Sequence, residues 1–315
     1  MTRAVRVRVP ATAANIGPGF DALGLALGMY DVVDVAADTR TGAEPRSPLV
    51  RVSVAGNGAD DVPRDENHLV ARSVLSALAE FGKQPSMLDV HCHNVIPHGR
   101  GLGSSAAAIV AGVLAARELA GGEITDDAVL QLANRLEGHP DNVAPCLFGG
   151  LTIAWIDDAG MARATRRDVH PDVRPMVCVP STSLATETAR GLLPASVPHA
   201  DAVHNAGRAA LLVDALTDRP ELLLDATEDR LHQAYREPAM PETLALVRTM
   251  RRHGLAAVVS GAGPSVLVLA RDEDEGRVRE LGAGWHVSTL TVEHAGATIE
   301  TRADDMLGSR PADTS

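Results

Sequence analysis

Valines at 5, 7 and 9 alternate with arginines at 6 and 8, the period-2 pattern of a strand with one wet face. The pattern stops at Pro10, and the chain passes into the turn-rich run A-T-A-A-N-I-G-P-G-F-D. Strands are predicted again at 30–36, 50–54 and 87–93. Between the last two the period becomes helical, with Leu69, Val70, Val74, Leu75, Leu78 and Phe81 giving a helix over 69–81. Ala106, Ile109, Val110, Val113 and Leu114 repeat that spacing further on. A third helix, 124–136, starts at Thr125 as N-cap with Asp126 and Asp127 in its first turn. A continuous apolar run predicts a strand at 151–156. The stretch 157–172 is polar and weakly patterned, which divides the chain into 1–160, 161–302 and a polar tail, 303–315. The second part reads as a strand at 175–179, a loop at 181–190 and a proline-rich run to 199. Helices follow at 202–216, at 222–226 continuing to 235, and at 241–253. Two short strands then flank a glycine turn in A-A-V-V-S-G-A-G-P-S-V-L-V-L, and strands at 286–292 and 298–301 close this part. Strands alternating with helix pairs put the fold in the α+β class.

Length and composition narrow this picture. A chain of 315 residues has room for two domains. With 45% hydrophobic and only 2% aromatic residues, the core must be built from Ala, Val and Leu. A net charge of −12 opposes nucleic acid as a partner. Cys92, Cys146 and Cys178 are far apart in apolar runs and lack C-x-x-C spacing, as buried reduced thiols do. The N-terminus lacks the apolar stretch of a signal peptide, and no apolar run reaches the ~20 residues of a bilayer span. These features predict a soluble cytoplasmic protein with no membrane partner.

The densest chemistry lies in P-H-G-R-G-L-G-S-S-A-A-A, residues 97–108. Gly99, Gly101 and Gly103 let successive N–H groups turn toward one point, and the helix after them adds its unpaired N–H groups and positive dipole end. That combination cradles a polyphosphate, although Ser104 also suits a plain helix N-cap. The loop lacks the G-K-[ST] of a Walker A sequence, and Lys83 is the only lysine in the chain. Phosphate charge therefore falls to backbone, arginine or metal. The glycine spacing also fails the dinucleotide-binding fingerprint, which sets aside an NAD-dependent oxidoreductase.

Three other constellations stand out. Asn15, Gly17, Gly19 and Asp21 form a tight polar turn directly after a strand, where binding groups are often mounted and where ordinary turns also occur. Glu137 ends a helix, a poor place for a carboxylate unless a cation compensates; His139, Asp141 and Asn142 follow it. A solvated Glu137 and an Asx turn at Asp141 would account for the same residues. Thr186 and Arg190 in A-T-E-T-A-R and Arg236 in H-Q-A-Y-R-E-P supply arginines able to grip a carboxylate bidentately.

Together these stretches resemble the GHMP kinases, and within them the branch that phosphorylates homoserine. P-A-T-A-A-N-I-G-P-G-F-D (10–21) resembles the first motif of that branch and 97–108 the phosphate loop of the family. E-G-H-P-D-N-V-A-P (137–145) and S-G-A-G-P-S (260–265) resemble the remaining signatures, in order, and the likeness runs from about residue 3 to 295. Asn15 stands in the segment where mevalonate-type members carry lysine and galactokinases arginine, which fits a small amino-acid alcohol. The resemblance implies a two-domain GHMP kinase fold, with a ribosomal-S5-domain-2-like N-terminal half and a ferredoxin-like C-terminal half. It implies ATP and Mg²⁺, L-homoserine as acceptor, O-phospho-L-homoserine as product on the way to threonine, and a homodimer. Pro97, His98, Gly99, Arg100, Gly101, Leu102, Gly103, Ser104, Ser105 and Ala106 would hold ATP, with Asn67 near the adenine. Ser105 and Glu137 would hold the metal. Homoserine would meet Asn15, Asp21, His139, Asp141, Arg190 and Arg236, its ammonium near Asp21 and Asp141 and its carboxylate at the arginines. Asn142 would hydrogen-bond the acceptor hydroxyl, forming a catalytic set with Glu137 and Asp141. Thr186, Gly261, Gly263 and Ser265 would brace the loop. Two other readings stay open: a GHMP kinase for another small alcohol, and a binding protein that keeps the loop without turnover.

Overall fold

The computed structural model describes residues 2–40, 48–121 and 123–302. The tail expected at 303–315 lies outside them. Strand β1 (Thr2–Ala14) buries Val5, Val7, Val9, Ala11 and Ala13, as the alternation predicts. It does not end at Pro10. The ladder with β2 (Leu23–Arg40) shifts register between Pro10 and Ala11, and the strand then continues as far as Ala14. A residue without an N–H interrupts the hydrogen-bond ladder, and the irregularity absorbs it. The extension delivers Thr12 and Asn15 to the site described below. β3 (Leu49–Gly56), α1 (Leu69–Glu80) and β4 (Gln84–Asn94) follow, with β3 and β4 parallel.

Helix α2 (Ser104–Ala120) is the centre of the molecule and is buried nearly all round. Small residues permit this: a Cβ on Gly112 would lie 2.6 Å from the Ser73 Cβ of α1, so only glycine allows that approach. α3 (Asp126–Glu137) begins as predicted, with Thr125 Oγ1 accepting the Ala128 N–H at 3.2 Å. Next comes α4 (Pro140–Phe148), a helix with two prolines to which the periodicity assigns no element. Pro140 occupies the first turn, where its missing N–H costs nothing, and Pro145 packs on Gly24 of β2. β5 (Leu151–Ile156) is as predicted, but the polar stretch after it contains a further strand, β6 (Ala162–Arg167), half-exposed and so without an apolar alternation to announce it. The first sheet runs β11-β1-β2-β4-β3, where β11 is the strand Thr298–Arg302, with β5 on β2 and β6 on β5.

The second sheet runs β10-β7-β9-β8, built from β7 (Arg174–Val179), β8 (Ala256–Val259), β9 (Val266–Ala270) and β10 (His286–Thr289), all antiparallel. Its helices are α5 (Thr186–Gly191), α6 (His199–Thr217), α7 (Leu223–Ala226), α8 (Pro241–Arg252) and α9 (Glu275–Leu281). The helix expected to continue from 226 to 235 stops at Ala226; 227–233 is irregular and a 3₁₀ turn, Ala234–Ala239, follows. Because side chains alternate across a strand, Val177, Val258, Leu267 and Leu269 join the main core while Met176, Cys178, Val266 and Val268 pack with α8 and α9. The last strand, β11 (Thr298–Arg302), returns to the first sheet and pairs with β1. Sheet membership thus crosses residue 160 in both β6 and β11.

Candidate active site

Gly99, Gly101 and Gly103 all adopt positive φ, 62°, 70° and 70°, a conformation L side chains rarely take. Every second residue of the loop therefore turns the same way. Gly103, not Ser104, is the N-cap of α2, and no side chain caps the helix. The N–H groups at its first turn are left for a ligand, which is what an anion-binding helix start requires. The loop is held from both sides. Leu102 O accepts from Thr12 N at 3.1 Å, Gly99 O from Leu184 N at 3.0 Å and Gly101 O from Ser260 Oγ at 2.7 Å. Arg100 points away from the helix start: its guanidinium donates to the carbonyls of His98, Pro180 and Ser181. Its charge staples the loop to the turn after β7.

Two cavities share Gly99, Ser104 and Ser105 as a wall. One, of about 310 Å³, lies toward α1 and is lined by Asp31, Asn67, His68, Asn94 and His98. Asn67 sits exposed at its rim, while His68 is buried with Nδ1 unpartnered. The other, of about 110 Å³, lies between the loop and the second half and is lined by Asn15, Glu137, His139, Asn142, Thr186, Arg190, Arg236 and Gly261. Motifs more than a hundred residues apart in sequence converge here.

Ser105 Oγ donates to Glu137 Oε2 at 2.7 Å. Burial, outweighing that hydrogen bond and the nearby His139, raises the Glu137 carboxyl above its ordinary value. A half-buried carboxylate with a hydroxyl beside it is a donor pair for a hard cation. Among the described residues no group of three or more His, Cys, Asp or Glu forms a self-contained metal cage. His139 Nδ1 lies 2.6 Å from Asp141 Oδ1, and that bond raises the imidazole above 6.5 although burial opposes it. Asp141 is fully buried behind His139 with Oδ2 unpartnered, and it does not line the cavity. Asn142 does. Its Oδ1 accepts from Thr12 Oγ1 at 2.7 Å and lies 3.2 Å from where a Cβ on Gly103 would be. Since Oδ1 is the acceptor, the Asn142 amide N–H groups are free to face the cleft.

Asn15 and Asp21 both have left-handed backbones, φ 56° and 52°, and Asn15 Oδ1 accepts the Asp21 N–H at 2.8 Å. Asp21 is ion-paired with Arg190, at 2.7 and 3.2 Å. Arg236 is fully buried, with Nε unpartnered; burial lowers its pKa, and the Arg190 charge adds to the shift. Ser265 is buried with Oγ unpartnered, and Gly263 N donates to Ser260 O at 2.8 Å, so both belong to the turn behind the loop. Thr12 and His68 are site residues the sequence did not single out, and so are Phe20 and His232, which pack beside Arg236 without lining either cavity. Thr12 offers one hydroxyl in a run of small residues, and only its place at the end of a strand aimed at the loop marks it.

Against known proteins, the GHMP kinases N terminal domain matches residues 68–150 and the GHMP kinases C terminal domain matches 208–283. The chain is 55% identical to the homoserine kinase of Streptomyces avermitilis over 301 residues, covering 94% of this chain and 95% of the relative. It belongs to the homoserine kinase family of GHMP kinases. The homoserine kinase of Clavibacter michiganensis subsp. michiganensis is 51% identical, with 98% of this chain and 97% of the relative covered. A crystal structure of homoserine kinase from Cytophaga hutchinsonii superposes with a TM-score of 0.82 at 26% identity, covering 94% of this chain and 97% of that one. Mevalonate diphosphate decarboxylase from Staphylococcus aureus shares the fold, at a TM-score of 0.68 and 14% identity, covering 95% and 98%. The two-domain GHMP kinase fold anticipated from the motifs is therefore the fold of this family member, and the family uses ATP on a small-molecule acceptor.

Proposed function

We propose that this chain transfers the terminal phosphoryl group of ATP to the side-chain hydroxyl of L-homoserine, giving ADP and O-phospho-L-homoserine. The observation that carries the reading is the position of Asn142, held by Thr12 beside Gly103, where an acceptor hydroxyl and a phosphate at the α2 N-terminus would meet. The base would occupy the larger cavity near Asn67 and His68, and the phosphates the loop 97–106 and the uncapped helix start. Glu137 and Ser105 suit Mg²⁺ shared with those phosphates, and the ion would supply neutralisation of the transferring charge. Arg236, a buried guanidinium, and Arg190 suit the substrate carboxylate, with Asn15 and His139 lining the acceptor side. The ammonium group fits near Asp21 and Asp141. Thr186, Gly261, Gly263 and Ser265 support the loop from the second half.

Phosphoryl transfer through a loose transition state relies on positioning and charge neutralisation. Asp141, fully buried and bonded to His139, is poorly placed to take the hydroxyl proton, so this reading has its charge act on the ammonium from behind His139 and lets the proton leave with a phosphoryl oxygen or solvent. A cytoplasmic location accompanies the reading, supported by three buried free cysteines. So does a homodimer, which sedimentation would test.

The test is coupled ADP release with Mg-ATP and a panel of L-homoserine, D-homoserine, L-serine, mevalonate and galactose. Strong preference for L-homoserine is the expected result. Turnover only with an acceptor lacking an amino group would discard the acceptor site, and ATP binding without turnover on any member would favour a binding protein.

A further inference from the structure

Arg236 presents an unusual economy: a fully buried cation whose held nitrogen bonds only neutral partners. Its Nη1 donates to His232 Nδ1 at 3.0 Å and to Gly261 O at 3.4 Å. Among the described residues no carboxylate lies within ion-pair distance of it. A buried guanidinium left in this way is waiting for a charge that a ligand brings. Its aim then depends on the group that holds it.

We propose that His232 is a positioning residue for the acceptor: a neutral ring protonated on Nε2, it orients the Arg236 guanidinium toward the substrate carboxylate. The inference rests on the carboxylate role given to Arg236 above. The hydrogen bonds fix the tautomer. Nε2 lies 2.7 Å from the Gly17 carbonyl, which only accepts, so Nε2 carries the proton. The guanidinium only donates, so Nδ1 is a bare lone pair. A doubly protonated ring would set N–H against N–H at 3.0 Å, and burial, the largest influence, holds the imidazole below its ordinary pKa. The ring cannot swing away, because it stacks on Phe20 with centroids 5.0 Å apart. Its backbone is fixed too. The buried Asp229 carboxylate accepts the N–H groups of Leu231, His232 and Gln233 and the Asn205 amide. This irregular segment, 227–233, thus joins the turn of the first motif to the arginine of the second half.

The test compares His232→Asn with His232→Gln. Asn places its amide oxygen near the Nδ1 position and keeps an acceptor for Arg236. Gln reaches the Nε2 position, keeps the Gly17 partner and loses the acceptor, although it is nearer to histidine in size. Gln is expected to raise the L-homoserine KM about ten-fold or more, the worth of one hydrogen bond to a charged group. Asn is expected to stay within about three-fold of wild type, with kcat and the ATP KM little changed in both. Should H232Q not fold, H232M serves in its place. An amino alcohol lacking the carboxylate, 3-aminopropan-1-ol, is expected to lose nothing further in H232Q. Equal effects of Asn and Gln, or an equal loss with the amino alcohol, would overturn the inference and leave His232 a packing residue. If Arg236→Ala itself leaves the homoserine KM unchanged, the carboxylate reading fails instead.

Discussion

Glu137 and Arg236 line one cleft, the first half-buried and the second fully buried, and neither has an ion-pair partner among the described residues. Each is therefore a cost to the empty protein that a ligand relieves. For Glu137 the folded pKa lies above the ordinary 4.5, so the folded state binds the extra proton. The stability this contributes is complete below the ordinary value and is lost as pH rises through the folded value. Glu137→Gln should then melt with wild type near pH 4 and higher than wild type at pH 8 in the absence of Mg²⁺. The same variant should turn over roughly ten-fold or more slowly at limiting Mg²⁺, in line with losing one charged contact; wild-type rates there would remove Glu137 from the metal's shell. Arg236→Ala should raise the L-homoserine KM roughly ten- to hundred-fold, one to two charge-assisted hydrogen bonds, while the ATP KM holds. That Glu137, Asn142 and Arg236 line one cleft was legible only through the family resemblance, since the residues by themselves also allowed a solvated carboxylate and an ordinary arginine. The Asp21–Arg190 ion pair was not, since 169 residues separate its members and both were read as ligands of the substrate. Nor was the use of Arg100, whose partners are backbone carbonyls that no side-chain pattern encodes.

At the scale of elements, the loop between β4 and α2 carries the prediction with the sharpest geometry. Gly103→Ala puts a Cβ at φ 70° and drives it into the Thr12 hydroxyl, the group that holds Asn142. Nucleotide titration should show the ATP KM raised about ten-fold or more, with kcat lowered because Asn142 loses its hold; unchanged titration would mean the loop relaxes without harm. The helices with apolar periodicity, α1 and α3, were readable within a residue or two, as were β5 and β7; of α2 only the start was. Elements whose stability comes from neighbours were not. α4 carries two prolines and is made by its packing on β2 and its neighbours, and β6 is a half-exposed strand that pairs with β5 and is held at Ala162 by the Gln131 side chain of α3. The segment 227–233 has helical composition but is diverted by Asp229, which caps its own following N–H groups.

Over the whole molecule, the second sheet keeps a cluster of its own under α8 and α9 but shares its other face with the core of the first part. Val177, Leu267 and Leu269 of the second sheet share one apolar cluster with Val7, Val110 and Leu114 of the first part. Calorimetry should accordingly record a single cooperative transition in the absence of ligand; two resolved transitions would show that the halves melt independently. The class of fold and the place of the cleft could be read from motif order. The interleaving could not, because β11 carries no mark in its sequence that its neighbour is a strand nearly three hundred residues earlier.

That last pairing makes the architecture a ring. Antiparallel β1 and β11 set Ala4 opposite Arg302, so the first and last described strands run side by side and the path between them nearly closes. Such a topology has no privileged starting point. A circular permutant that joins 302 to 2 by a short linker and opens at the exposed turn 157–160 keeps every strand neighbour, and with it the cleft.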